Sequence, residues 1–362
     1  MEKLACALGC AVSDLSREAR GEANDWTLEE RRLYTECLEK VVQLVGKEVL
    51  NYRGPNADQT HFAGGHGHVS AAIDAYAHDQ MMTAVSQIFE SYLNNRQWIV
   101  NLVFEDAVAT LSAFGFTPTD EQKHNAPVAY IDEIDGTTNV KRAVAARLGG
   151  GRPKSAVCIA LKNHEKSPTI ECGAIYAFDE EATFSGFLAG SDHYIATRND
   201  AIIGVNECKS AAGDSKQRVI VTNYSNEGHL SCARLKMAIE KSVNGGKSET
   251  YGGCRSSTID VIDIIRNQYD AYVDCRHLWT RDIDHNSVLR VYDVAGVLPI
   301  ARGAGLTVVT PDGAPFSLRG LRGDAPMSVI IGRPAVVGEV VTAIAPVLYE
   351  IRRLLQTPPD AV

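Results

Sequence analysis

From residue 28 to residue 50 the apolar side chains Leu33, Leu38, Val41, Val42, Leu44, Val45 and Leu50 recur at helical spacing, which predicts an amphipathic helix. The segment 51–70 that follows is polar and carries Gly54, Pro55, Gly64, Gly65 and Gly67, so it reads as a surface loop. Met82, Val85, Phe89, Tyr92 and Leu93 share one helical face, predicting a second helix that starts at about Ala71 or Asp79 and ends near Asn94. Residues 97–104 form a β-rich run ending at Glu105-Asp106, and 128–131 form another ending at Asp132. Two strands therefore deliver acids at their ends. Beyond the glycine-rich connector 148–153, the runs 155–162, 169–178 and 182–188 read as consecutive antiparallel strands.

The pattern then changes. Strands at 219–222, 250–254, 271–274, 306–310 and 327–331 alternate with helices at 230–243, 258–267, 293–303 and 336–355, as α/β units do. The polar stretch 211–217 separates the two regimes and predicts an α+β domain over 1–214 and an α/β domain over 215–362. A chain of 362 residues has room for two such cores.

Composition narrows the function classes. The net charge of −9 comes without any lysine or arginine block, which argues against a nucleic-acid polymer as partner. No apolar run without charges reaches the roughly 18–20 residues that cross a bilayer, and the first residues lack a secretory pattern, so a cytoplasmic protein with no membrane role is expected. Nine scattered cysteines with no Cys-x-x-Cys pair read as reduced, mostly buried side chains. His61, His66 and His68 invite a metal reading, but their spacing in a glycine loop matches no common site and solvated loop residues are the plainer account.

The densest chemical signal is Ile131-Asp132-Glu133-Ile134-Asp135-Gly136-Thr137-Thr138-Asn139. Two aspartates three apart at a strand end, followed by Gly-Thr-Thr, set hard oxygen ligands beside a tight turn whose N–H groups can face an anion. Such a donor set suits Mg²⁺ rather than zinc, although an ordinary capped turn would have the same residues.

These nine residues resemble the Asp-Pro-Ile-Asp-Gly-Thr-Thr-Asn signature of the inositol monophosphatase family, metal-dependent and lithium-inhibited phosphatases that share a fold with fructose-1,6-bisphosphatase. Residues 291–305, Val-Tyr-Asp-Val-Ala-Gly-Val-Leu-Pro-Ile-Ala-Arg-Gly-Ala-Gly, resemble that family's second element, in which an aspartate at a helix start reaches the metals. The resemblance implies a layered αβαβα sandwich and a site with two or three Mg²⁺ ions, with Mn²⁺ as a substitute and Li⁺ as inhibitor. Asp132 would bridge two ions, the Ile134 carbonyl would complete one coordination sphere, and Asp135 and Asp293 would hold the second ion. Glu105 is the best match for the family's glutamate ligand, with Glu121 as its competitor. Thr137 would be the catalytic threonine and Asp79 the aspartate bonded to it, unless Asp79 is a plain helix N-terminal acid. Gly136, Thr137 and Thr138 would cradle the phosphate. Arg255, Ser256 and Ser257 would line the substrate pocket, and Asp274 would recognise a ring hydroxyl. The implied activity is hydrolysis of a small phosphate ester, a sugar or cyclitol phosphate, by a homodimer. Fructose-1,6-bisphosphatase activity, 3′-phosphoadenosine 5′-phosphate phosphatase activity, and a catalytically weak binding relative are the alternatives.

Several positions depart from the pattern. Glu133 stands where proline is usual, Tyr292 stands for tryptophan, and Gly303 and Leu306 replace the glutamate and last glycine of the second element. The segments 107–125 and 276–285, the latter with His277, Arg281 and His285, read as insertions that recognise a second anionic group, close as a lid, or form plain surface loops.

Overall fold

The computed structural model describes residues 26–52, 60–63, 69–93, 97–105, 107–146, 152–205, 217–222, 230–254, 256–278, 288–319, 321 and 325–356. Helix α1 (Leu28–Asn51) starts at Thr27, whose hydroxyl accepts from the Glu30 N–H while the Glu30 carboxylate accepts from the Thr27 N–H. This reciprocal cap satisfies two of the amides that a helix start leaves open. A short antiparallel pair, β1 (Thr60–Ala63) and β2 (Val69–Ala71), leads into α2 (Ala72–Tyr92). Then come β3 (Ile99–Val103), β4 (Val108–Ser112), the one-turn α3 (Asp120–His124), β5 (Val128–Asp135) and α4 (Thr137–Ala146). Five strands complete the half: β6 (Ala156–Lys162), β7 (Cys172–Ala177), β8 (Ala182–Leu188), β9 (Tyr194–Arg198) and β10 (Ala201–Ile202). They form one sheet in the order β10-β9-β8-β7-β6-β5-β3-β4, in which β3 and β5 run parallel and the other neighbours antiparallel.

The second half contributes β11 (Arg218–Thr222), α5 (Leu230–Ser242), β12 (Ser248–Gly252), α6 (Ser257–Ile265), β13 (Ala271–Asp274), β14 (Leu289–Arg290), α7 (Val291–Ala295), α8 (Leu298–Gly303), β15 (Thr307–Val309), β16 (Pro326–Met327), β17 (Val329–Gly332) and α9 (Pro334–Gln356). Its sheet has the order β12-β11-β13-β17-β15. β11 pairs parallel with β12 and β13, and β17 pairs antiparallel with β13 and β15.

Alternation along the strands assigns the layers. On β6, Val157, Ile159 and Leu161 join α1 and α2 in one apolar cluster, while Ala156, Cys158 and Ala160 join α6, α7 and α8 in another. A strand buried on both faces loses the polar alternation of a half-exposed one. On the second sheet Val221, Tyr272 and Ile331 face the same α6–α8 layer, and Ile220, Val273 and Ile330 face α5 and α9. The stack is therefore helix, sheet, helix, sheet, helix, the expected αβαβα sandwich. The expected domain boundary at 211–217 lies almost wholly outside the described residues.

Local differences from the sequence reading have physical causes. The expected helix 293–303 is two helices, because Pro299 lacks an N–H and sits at the start of a new one. The expected insertion 107–125 is edge strand β4 and one-turn α3. Helix α9 has a mean hydropathy of 1.5 over Pro334–Arg353, enough by length and composition to cross a membrane despite the expectation that nothing would be. In the fold its Val336, Val340, Ile344, Leu348 and Ile351 stripe is buried against the second sheet, as a core helix requires.

Candidate active site

Strand β5 carries the acids to the inter-sheet layer by a bulge. Asp132 pairs with Cys158 but Asp135 pairs with Ala156, so three steps on β5 span two on β6. Residues an odd number apart on a regular strand point to opposite faces; the extra residue brings Asp132 and Asp135 to the same side. Gly136 then turns the chain with φ +89°, a left-handed conformation that a Cβ would strain, and α4 begins at Thr137. The Asp132 carboxylate accepts from the Ile134 N–H at 3.1 Å. Asp135 accepts from Ser256 Oγ (2.8 Å), Thr258 N–H (2.7 Å) and Ser257 N–H (3.3 Å), the open amides at the start of α6. Asp293 Oδ2 accepts from the Arg290 N–H at 2.7 Å, at the start of α7.

These acids act on one another. Burial pushes Asp132 well above the ordinary carboxylate range, and Asp135, Asp293, Glu105 and Glu133 push it further. Burial also raises Asp135, against the bonds from Thr258 and Ser256. Asp293 is pushed up to about 7, first by burial and then by Asp135, against the Arg290 N–H. Glu105, exposed at the end of β3, is among the carboxylates that act on Asp132. Glu121 is exposed on α3 beside Gln97 and Asn125 and is not among Asp132's main electrostatic neighbours.

Clustered carboxylates with a nearby carbonyl, Ile134 O, have the chemistry of a hard-cation site. Each carboxylate keeps lone-pair capacity beyond the bonds just given. As the side chains are placed, no three His, Cys, Asp or Glu groups among the described residues close on a single point. All-oxygen donors suit Mg²⁺ in type.

Thr137 is half-buried, and its Oγ donates to Asp74 Oδ1 or to Ile134 O, each at 3.0 Å. The expected partner was Asp79. Asp79 is exposed: five residues at ~100° each set it about 140° around α2 from Asp74, away from the cleft. The assignment therefore moves to Asp74. Thr138 is exposed, and Asn139 Nδ2 donates to Lys154 O (2.6 Å) and Cys254 O (2.7 Å), tying the motif to the loop before α6.

On the substrate side Arg255 lies outside the described residues, as do 279–285 of the expected insertion and the side chains of His61, His66 and His68. Ser256 and Ser257 hold Asp135 and start α6. Asp274 is fully buried, and both of its oxygens are engaged by Arg276 (Nε at 3.0 Å, Nη2 at 2.6 Å) and Tyr272 Oη (3.1 Å). It anchors an arginine instead of offering a free carboxylate to a ring hydroxyl. Sequence reading named neither Asp74 nor His78, and gave Asn139 and Arg276 no role of their own. The Asp74-x-x-x-His78 spacing, one helical turn, was the available signal for the first two.

The model of the inositol monophosphatase family matches residues 30–334. No curated protein matches the chain by sequence. Among solved structures, the extragenic suppressor protein suhB from Bartonella henselae superposes with a TM-score of 0.59 at 17% identity, over 86% of this chain and 98% of its own. Inositol monophosphatase from Anabaena (Nostoc) sp. PCC 7120 gives 0.54 at 16%, over 91% and 97%. The staphylococcal SaIMPase-II, solved with inositol monophosphate bound, gives 0.55 at 16%, over 89% and 97%. At these identities the structures share the fold.

Proposed function

This chain belongs to the inositol monophosphatase family, and on that premise we propose that it is a Mg²⁺-dependent phosphomonoesterase acting on a sugar or cyclitol phosphate. The observation that carries the reading is the bulge of β5, which turns Asp132 and Asp135 to one side next to Asp293 and sets Thr137, bonded to Asp74, at the following helix start. Glu105, Asp132, Ile134 O, Asp135 and Asp293 would hold the ions. Bound Mg²⁺ supplies a water of lowered pKa and offsets the charge of the phosphate.

The chain's own residues do the rest. Asp74 orients the Thr137 hydroxyl and accepts its hydrogen, so Thr137 Oγ is left able to accept a proton from a nucleophilic water. The N–H groups at Gly136 and Thr137, where α4 begins, favour phosphate oxygens. Arg276 engages the Asp274 carboxylate that a ring hydroxyl would meet, which within this proposal favours a sugar phosphate over a bare cyclitol monophosphate. A bisphosphorylated sugar or a nucleotide phosphate is the second reading. A homodimer, supported by the resemblance, and a cytoplasmic location, supported by the lack of a secretory pattern in the first residues, are part of the same proposal.

Phosphate release from a panel of cyclitol, sugar and nucleotide phosphates, with Mg²⁺ and with added Li⁺, tests the proposal. Turnover that needs Mg²⁺, falls with Li⁺ and disappears in Asp135→Asn is expected. No turnover of any ester overturns the enzymatic reading in favour of a binding relative.

A further inference from the structure

Helix α2 sends two side chains from adjacent turns of one face toward the cleft. Asp74 meets Thr137, and four residues on, His78 Nδ1 lies 2.7 Å from Glu133 Oε1. The His78 ring also packs on Phe104, with ring centres 4.2 Å apart and planes inclined by 51°. Phe104 is buried, and its N–H donates to Ala107 O at 2.9 Å, closing the turn that carries Glu105. Glu133 follows Asp132 directly, and its side chain is only 14% exposed. β3 and β5 are parallel neighbours, so their acid-bearing ends emerge at the same edge of the sheet. One imidazole therefore touches both the β5 bulge that carries Asp132 and the turn that carries Glu105.

We propose that His78 is a positioning residue for the metal cluster, fixing the Asp132 turn through Glu133 and the Glu105 turn through Phe104. The inference rests on the phosphatase reading above. The sequence at 133 supplies a reason for the device. The motif that this segment resembles has proline there, and a proline ring fixes φ covalently. Glutamate leaves that backbone torsion free, and the imidazole bonded to its carboxylate at 2.7 Å restrains it instead. Partners that hold ligands in place without touching the ion typically govern metal affinity by about 10- to 100-fold.

Calorimetric titration of the purified full-length chain with Mg²⁺ reads the effect directly, beside the Mg²⁺ dependence of phosphate release. His78→Phe keeps a ring on Phe104 and loses the hydrogen bond; Glu133→Leu breaks the same bond from the other side. Each is expected to weaken Mg²⁺ binding about 10-fold and to raise the half-saturating Mg²⁺ concentration to match. The kcat at saturating Mg²⁺ is expected to stay within about 3-fold, since the ions once bound restore the ligand geometry. Glu133→Gln, which keeps an oxygen acceptor for Nδ1–H, stays within about 3-fold in affinity. The double variant His78→Phe/Glu133→Leu loses no more than either single change, because both remove one bond. Wild-type affinity in His78→Phe and Glu133→Leu, additive losses in the double variant, or a kcat deficit that persists at saturating Mg²⁺ overturns the positioning role while leaving the phosphatase reading intact. A wild-type chain that binds no Mg²⁺ overturns both.

Discussion

Replacing Asp74 by Asn separates the acid that structure assigns to Thr137 from the one that sequence assigned. The Thr137 hydroxyl has one hydrogen and two acceptors at 3.0 Å, Asp74 Oδ1 and Ile134 O. A bond to a charged acceptor contributes about 1.5–3 kcal/mol and a neutral one about 0.5–1.5 kcal/mol, so the swap alone removes about 1–1.5 kcal/mol of orientation. Loss of a group that takes up the proton adds the general-base contribution, roughly 10²- to 10⁴-fold in rate, or about 2.7–5.4 kcal/mol at 1.36 kcal/mol per tenfold. Asp74→Asn is therefore expected to lower kcat at saturating Mg²⁺ by at least about 10²-fold. Asp79→Asn, on an exposed face, is expected to change kcat by less than about 2-fold. Single-turnover phosphate release measures both, with thermal melts to show that both fold. An Asp74→Asn enzyme within about 5-fold of wild type, or an Asp79→Asn enzyme equally impaired, refutes the assignment.

Other consequences are as direct. Asp293 and Asp260 are both pushed up to about 7 by burial; a folded pKa above the unfolded one means that the stability they contribute is complete below pH ~4 and is lost as pH rises through about 7. Metal-free melts are thus expected to be lower at pH 8 than at pH 5, with the drop reduced in Asp260→Asn and with Mg²⁺ recovering more at pH 8. Gly303→Glu, the residue usual in the resembling element, would set a Cβ 2.5 Å from Ala196 N, and a loss of about 1–3 kcal/mol or more is expected in urea unfolding. Arg276→Met strands the buried Asp274 carboxylate, at a cost of about 3–5 kcal/mol, and Arg276→Met/Asp274→Leu is expected to recover most of it.

Legibility followed from how local the cause was. Helix α1 was readable because its buried stripe repeats from Leu38 to Val49 and its cap is four residues long. Strand β4 was not, because an edge strand whose side chains are exposed or half-buried lacks the apolar alternation that announces a strand. The acids of the 132–139 motif were visible as a local pattern. Their orientation depends on a bulge, which is a relation between β5 and β6 and leaves no mark on β5 alone. The Asp74–Thr137 bond spans 63 positions, and choosing between Asp74 and Asp79 required knowing where α2 begins. Asp274 was found for its position at a strand end, but its occupation by Arg276 depends on the local turn that follows β13.

The acid cluster raises a physical problem that the fold answers before any cation arrives. Three carboxylates brought together in the inter-sheet layer repel, and each loses water. Two of them are placed at helix starts: Asp135 takes the open amides of α6, and Asp293 takes the Arg290 amide at α7. Those amides favour the ionised form and hold it in place, while the side chains retain lone pairs for a metal. Among the described residues Asp132 accepts from the Ile134 amide alone, and burial and the neighbouring carboxylates all raise its pKa. It is also one of the residues that would hold the ions. A cation bound there would relieve that repulsion, so Asp132→Asn is expected to raise the metal-free melting temperature and to weaken Mg²⁺ binding, read by thermal melts and calorimetric titration.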